Sequence, residues 1–178
     1  MMPDNPATLI AFLARGREIG FVVLYEGTVL RYGVKTIKGR KRAGPGFTRR
    51  VEQTLAPLLR TVGRNAVVVI EQDAAPSKKG ALCRTLNSLS ERWKEQGRRV
   101  CALSWEEVKR GLSRSEWMTQ DEIAQVVVER QPLLWPLVTP LKAQRMRYWK
   151  KVLLAAALAE VTYRRLEQER RWRPGPCK

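Results

Sequence analysis

Residues 66–70 read AVVVI, an unbroken run that is almost entirely β-branched and carries no polar residue. Branching at Cβ favours the pleated strand over the helix. A strand with no polar face has no side to offer water, so it needs cover above and below, as the central strand of an α/β sheet has. The flanking segments supply that cover. Residues 47–62 place Val51, Leu55, Leu58, Leu59 and Val62 at helical spacing, and residues 78–97 place Leu82, Leu86, Leu89 and Trp93 on one side of a second helix. The stretch RRVCALS, residues 98–104, reads as another strand. A strand joined to the next strand through a helix makes a parallel pair.

The amino-terminal part follows a different rule. LIAFLA (9–14), GFVVLY (20–25) and TVLRYGV (28–34) are strand-length apolar runs. The first two are joined by a turn that Gly16 and Gly20 bracket, the last two by Glu26-Gly27, which makes an antiparallel meander. After the last strand come a short helix, 105–112, and a capping box, Thr119-x-x-Glu122, which opens a helix to Arg130. Pro132, Pro136 and Pro140 interrupt the chain before a long final helix at 141–172. The expectation is one α/β domain over residues 1–173 and a disordered tail at 174–178. Its sheet is mixed and five-stranded, three strands antiparallel and then parallel strands, with helices on both faces.

Charge narrows the function. The chain of 178 residues holds 34 Lys and Arg against 17 Asp and Glu, a net charge of +17. So large an excess repels itself in the compact state, and a polyphosphate backbone is the usual partner that offsets it, with an acidic membrane surface second. The charge is densest in KTIKGRKRAGPGFTRR, residues 35–50. No acid lies between Glu26 and Glu52, and Gly39, Gly44, Pro45 and Gly46 make the stretch a loop. It reads as a phosphate-tracking arm bearing Lys35, Lys38, Arg40, Lys41, Arg42, Arg49 and Arg50. Lys78 and Lys79, and Arg145, Arg147, Lys150 and Lys151 with Trp149 among them as a stacking candidate, extend the expected surface. The chain has no histidine, which removes Ser-His-Asp and Cys-His catalysis and His-containing zinc sites. Cys83, Cys101 and Cys177 have no metal-ligand spacing and fit reduced thiols in a cytoplasm. The longest apolar stretch, 152–159, is too short to span a bilayer, and the amino-terminal segment does not read as a signal peptide.

Several of these stretches together carry a likeness. AFLARGREIGFVVL (11–24) resembles the first hairpin of the RuvC-type Holliday-junction resolvases, in which an apolar strand is followed by Gly-aromatic and a second strand. VVVIEQ (67–72) is similar to that family's apolar strand ending in Glu, SWEEVKRGLSRSEWMTQDEIAQVVVERQP (104–132) to its region after the last strand, and WKKVLLAAALAEV (149–161) to its alanine-rich last helix. The likeness spans about residues 9–160 and implies an RNase H-like fold, a metal site of acidic residues and a homodimer packed through the helix after Glu71. Here the leucine stripe of 82–93 suits either a mate or the sheet.

The departures change the expected chemistry. Leu13 stands where the resemblance places one metal-binding Asp, and Lys150, or Lys151 if the alignment slips by one, where it places another. Glu71 alone carries over as the family's catalytic acid. One carboxylate cannot hold two magnesium ions. Lys150 could instead stand beside Glu71 as its counter-ion, and no metal or other cofactor is expected.

The leading reading is a basic, RuvC-like pseudonuclease that binds branched or duplex nucleic acid, DNA before RNA, by backbone contacts. One alternative is an active magnesium-dependent junction endonuclease, with a site rebuilt from Glu71, Asp73 and a further acid. Another is a structural protein of RNA or of a nucleoprotein complex, with a protein partner.

Overall fold

The computed structural model describes residues 8–39, 44–72, 80–113, 117–138 and 143–172. Three strands come first: β1 (Thr8–Arg15), β2 (Glu18–Tyr25) and β3 (Thr28–Thr36). α1 (Pro45–Val62), β4 (Val67–Glu71), α2 (Ala81–Glu95) and β5 (Val100–Leu103) follow, then α3 (Trp105–Leu112) and α4 (Gln120–Arg130). A 3-10 turn at Pro132–Leu137 leads to α5 (Ala143–Trp172). The sheet has the order β3-β2-β1-β4-β5. β1–β2 and β2–β3 are antiparallel, β1–β4 and β4–β5 parallel. This is the mixed five-stranded sheet that the sequence predicts.

Local chemistry explains the corners. Glu26 and Gly27 have φ of 50° and 77°, both left-handed, as the two central residues of a hairpin turn matched to strand twist require. Thr119 Oγ1 accepts from the Glu122 backbone N–H while the Glu122 carboxylate accepts from the Thr119 N–H, the capping box expected at α4. Ser104 and Glu107 do the same at α3.

Alternation along β1 divides the interior in two. Leu9, Ala11 and Leu13 point into a core shared with α3, α4 and α5, and Ile10, Phe12 and Ala14 into one shared with α1 and α2. Val67 to Glu71 is buried throughout, because helices cover both faces of β4. α2 puts Leu82, Leu86, Leu89 and Trp93 into the second core, where the Trp93 ring lies 6.1 Å from that of Phe12. The leucine stripe therefore serves the chain's own sheet, and a mate packing on α2 would meet its outer, polar side.

The alanines of α5 let that helix lie close on the sheet. A Cβ on Gly20 of β2 would fall 2.5 Å from the Lys151 backbone carbon, inside contact distance, so helix and strand touch backbone to backbone there. Gln131, buried, ties the other side: its amide accepts from the Val29 N–H and donates to the Gly27 carbonyl. Among the described residues no helix is long and apolar enough to cross a membrane. The expected tail at 174–178 lies outside the described residues.

Candidate functional site

Glu71 ends β4, and the parallel register that sets Phe12 beside Ile70 brings Leu13 alongside it. Strand alternation puts both side chains on the face that α5 covers. Leu13 is fully buried in the apolar core of that face, so this position offers no oxygen to a metal. Two residues further along the same face, Arg15 reaches Glu71. Its Nη1 donates to Glu71 Oε2 at 2.5 Å, and Trp105 Nε1, at the start of α3, donates to Glu71 Oε1 at 2.7 Å. Both carboxylate oxygens are thus engaged by donors. Glu71 is only 4% exposed, and a carboxylate that deep needs a countercharge and hydrogen bonds if it is to stay ionised. The Arg15 side chain is about one-third exposed.

The expected counter-ion is corrected by this geometry. Lys150 does not pair with Glu71 but with Asp121 of α4, at 2.8 Å. Lys151, the residue reached by a one-position slip, pairs with Glu18 of β2 at 2.6 Å and lies over the Tyr148 ring at 5.7 Å. The close seating of α5 on Gly20 explains this: the helix backbone at Lys151 is pinned over β2, so its lysines meet the acids at the edges of that contact. Trp149 is half-buried against the α5-side core, edge-on to Tyr32 at 6.3 Å and to Tyr148 at 5.0 Å.

The described residues do not fit a two-metal centre. Among the described residues no group of three or more His, Cys, Asp or Glu could hold a metal ion. Glu71 is already bonded to a guanidinium and an indole. Asp73 lies outside the described residues.

The basic surface is described in part. Lys35 lies on β3, Lys38 is exposed just after it, and Arg49 and Arg50 are exposed in the first turns of α1. The two ends of the arm come together: Arg50 packs over the Phe47 ring at 5.7 Å and against Gly39, whose φ of 99° lets the chain turn there. Arg40, Lys41 and Arg42 lie outside the described residues, as do Lys78 and Lys79. Arg145 and Arg147 fall in the first turns of α5, and their side chains are likewise outside the description. Sequence reasoning missed Arg15, Arg17 and Trp105. Arg17 is exposed in the β1–β2 turn, and its carbonyl accepts from the Ile37 N–H, so it stands at the root of the arm. The spacing of Arg15, two residues beyond Leu13 on one strand face, was the available signal.

Solved structures with this architecture are known. Thermus thermophilus RuvC superposes with a TM-score of 0.64 at 18% identity, over 90% of this chain and 96% of that one. T. thermophilus RuvC in complex with a Holliday junction substrate gives 0.63 at 17% identity, with the same coverage of 90% and 96%. The fold is that of the RuvC-type resolvases. The yeast mitochondrial Holliday junction resolvase Ydc2 is similar at a TM-score of 0.56 and 10% identity, over 96% of this chain and 85% of that one. No protein-family model and no curated protein sequence matches the chain. On a RuvC-type fold, the position beside Glu71 is where the sequence resemblance expects an Asp, and here Leu13 and Arg15 occupy that stretch of β1.

Proposed function

We propose that this chain binds branched or duplex DNA through the phosphate backbone and does not cleave it by a metal-dependent route. The observation that carries the reading is the Arg15 guanidinium on Glu71. In a site built for Mg²⁺, carboxylates stand together and the metal offsets their charge. Here a fixed cation does so within the chain, and a neighbouring Mg²⁺ would be repelled by it. Two of the solved structures sharing this fold are named as Holliday-junction proteins, one in complex with its substrate, and this supports a junction as ligand.

The net charge of +17 supplies the attraction. Lysines and arginines reading phosphates position a protein on nucleic acid without selecting sequence, so shape, as at a branch point, is the property the chain would select. The phosphate contacts come from Lys35, Lys38, Arg49 and Arg50, from Arg40 to Arg42 and Lys78-Lys79, and from Arg145, Arg147, Lys150 and Lys151. The protein acts as a monomer or as a homodimer whose mate meets the polar side of α2.

The test is binding to a four-way junction, a linear duplex and a double-stranded RNA over a range of salt. A slope of log K against log[salt] of several units, and a junction bound more tightly than the duplex, is the expected result. A slope near zero removes the electrostatic account. RNA bound best, with no preference for the junction, favours a structural role in a ribonucleoprotein.

A further inference from the structure

The end of the sheet opposite Glu71 carries its own arginine cluster. Thr8 and Val67 begin β1 and β4, whereas Arg15 and Glu71 end them. At about 3.3 Å per residue, the length of β1 separates the two ends by about 23 Å. A cleft of about 280 Å³ opens at the far end, and its lining includes Gly63, Arg64, Asn65, Arg99 and Arg170. These residues come from the turn between α1 and β4, the approach to β5, and the last turns of α5. A fourth arginine stiffens the wall: Arg98 Nη1 donates to the Gly63 carbonyl at 2.9 Å and ties the turn to the approach of β5.

Two acids lie against this cluster. Arg99 meets Glu169 at 3.4 Å with both side chains more than half exposed, and Arg170 meets Glu167 at 3.6 Å. The Arg99–Glu169 pair, exposed on both sides, contributes little. Arg64 is exposed and meets no carboxylate among the described residues. All four cations are arginines, whose planar forks match a phosphate with two parallel hydrogen bonds, as lysines do not.

We propose that this pole is a second phosphate site, which takes the backbone of a second nucleic-acid segment while the Glu71 end holds the first. The separation of about 23 Å exceeds the roughly 12 Å width of a major groove, so a duplex held across its groove at one end does not reach the other; only a duplex lying along β1 would touch both ends, and it would leave no site for a second. One chain would then bridge two duplexes or two arms of a branched one. The ligand class rests on the reading given under the proposed function.

The experiment is a bridging assay. A short biotinylated duplex is immobilised, the protein is bound to it, and a second, fluorescent duplex is added at low salt. Wild type is expected to capture the second duplex. The Arg64→Ala/Arg99→Ala/Arg170→Ala variant should bind the first duplex about as well as wild type and capture the second about tenfold less. Arg99→Glu, a single exposed change, should weaken capture as well, and unchanged melting temperatures show that both variants are folded. Wild type that binds the first duplex and captures no second, or a triple variant that captures as well as wild type, overturns the second site and leaves the first reading standing. Wild type that binds neither duplex overturns both.

Discussion

Arg15 Nη1 and Glu71 Oε2 lie 2.5 Å apart, an ion pair between the last residues of two parallel strands. The pair joins strand geometry to the chemistry of the site. Arg15 and Leu13 share a strand face, so the buried leucine and the arginine together fill the space beside the one acid retained. Removing Arg15 leaves a buried carboxylate without its cation. Arg15→Ala is expected to destabilise the fold by about 1–3 kcal/mol, less than the roughly 3–5 kcal/mol of a fully buried pair because Arg15 is partly exposed. Glu71→Gln, which keeps an acceptor for the Trp105 indole, should be milder, and Arg15→Met with Glu71→Leu should recover much of the loss. Urea denaturation of the three variants checks this, and a double variant less stable than Arg15→Ala contradicts it.

Gly20 lies under α5 so closely that a Cβ there would sit 2.5 Å from the Lys151 backbone carbon. Backbone cannot swing aside as a side chain can. Gly20→Ala should destabilise by about 1–3 kcal/mol or more through overpacking. It should also weaken DNA binding, because the lysines of α5 shift with the helix. Thermal unfolding and a binding titration on the same variant test both effects.

The arm is expected to act on affinity without acting on stability. Changing Lys38, Arg40, Lys41 and Arg42 together to Ala should lower DNA affinity about tenfold or more and reduce the salt slope, with the melting temperature nearly unchanged. An unaltered affinity would place the DNA on another face.

Glu107 should give α3 a pH-dependent anchor. The Ser104 backbone N–H donates to its carboxylate, which burial disfavours and the Arg165 guanidinium also supports. The net effect holds its pKa below the ordinary 4.5. Since the folded value is the lower one, the stabilisation is complete above the unfolded value and is lost as pH falls through the folded value. Glu107→Gln should therefore be less stable than wild type at neutral pH, and the gap should close in acid. Urea midpoints measured against pH for both proteins test the sign.

Much of this architecture was legible in the sequence, for local reasons. Glu26-Gly27 announces a turn because two successive left-handed residues need such side chains, and Thr119 with Glu122 announces a helix start because their reciprocal bonds are local. The mix of antiparallel and parallel strands followed from AVVVI and from the short antiparallel links, whereas the strand order β3-β2-β1-β4-β5 is set by the structure. The site was legible only in outline. Glu71 and Leu13 stand side by side as the resemblance implied, but the cation on Glu71 is Arg15, and the indole on its other oxygen comes from Trp105. Both contacts join residues far apart in the chain through strand register and the angle of α3, which no window of sequence encodes. The lysines of α5 were misplaced for the same reason. Their partners, Asp121 and Glu18, are set by the depth at which Gly20 lets the helix sit.

We propose that the RuvC-type fold here binds a junction and leaves it uncut, with Arg15 in place of metal at Glu71. The direct measurement is a single gel assay. A labelled four-way junction is incubated with purified protein in Mg²⁺ or Mn²⁺, then run native to score binding and denaturing to score nicks. The expected result is a retarded complex with intact strands, for wild type and for Glu71→Gln alike. Paired, symmetric nicks that require the divalent ion and vanish in Glu71→Gln would contradict it.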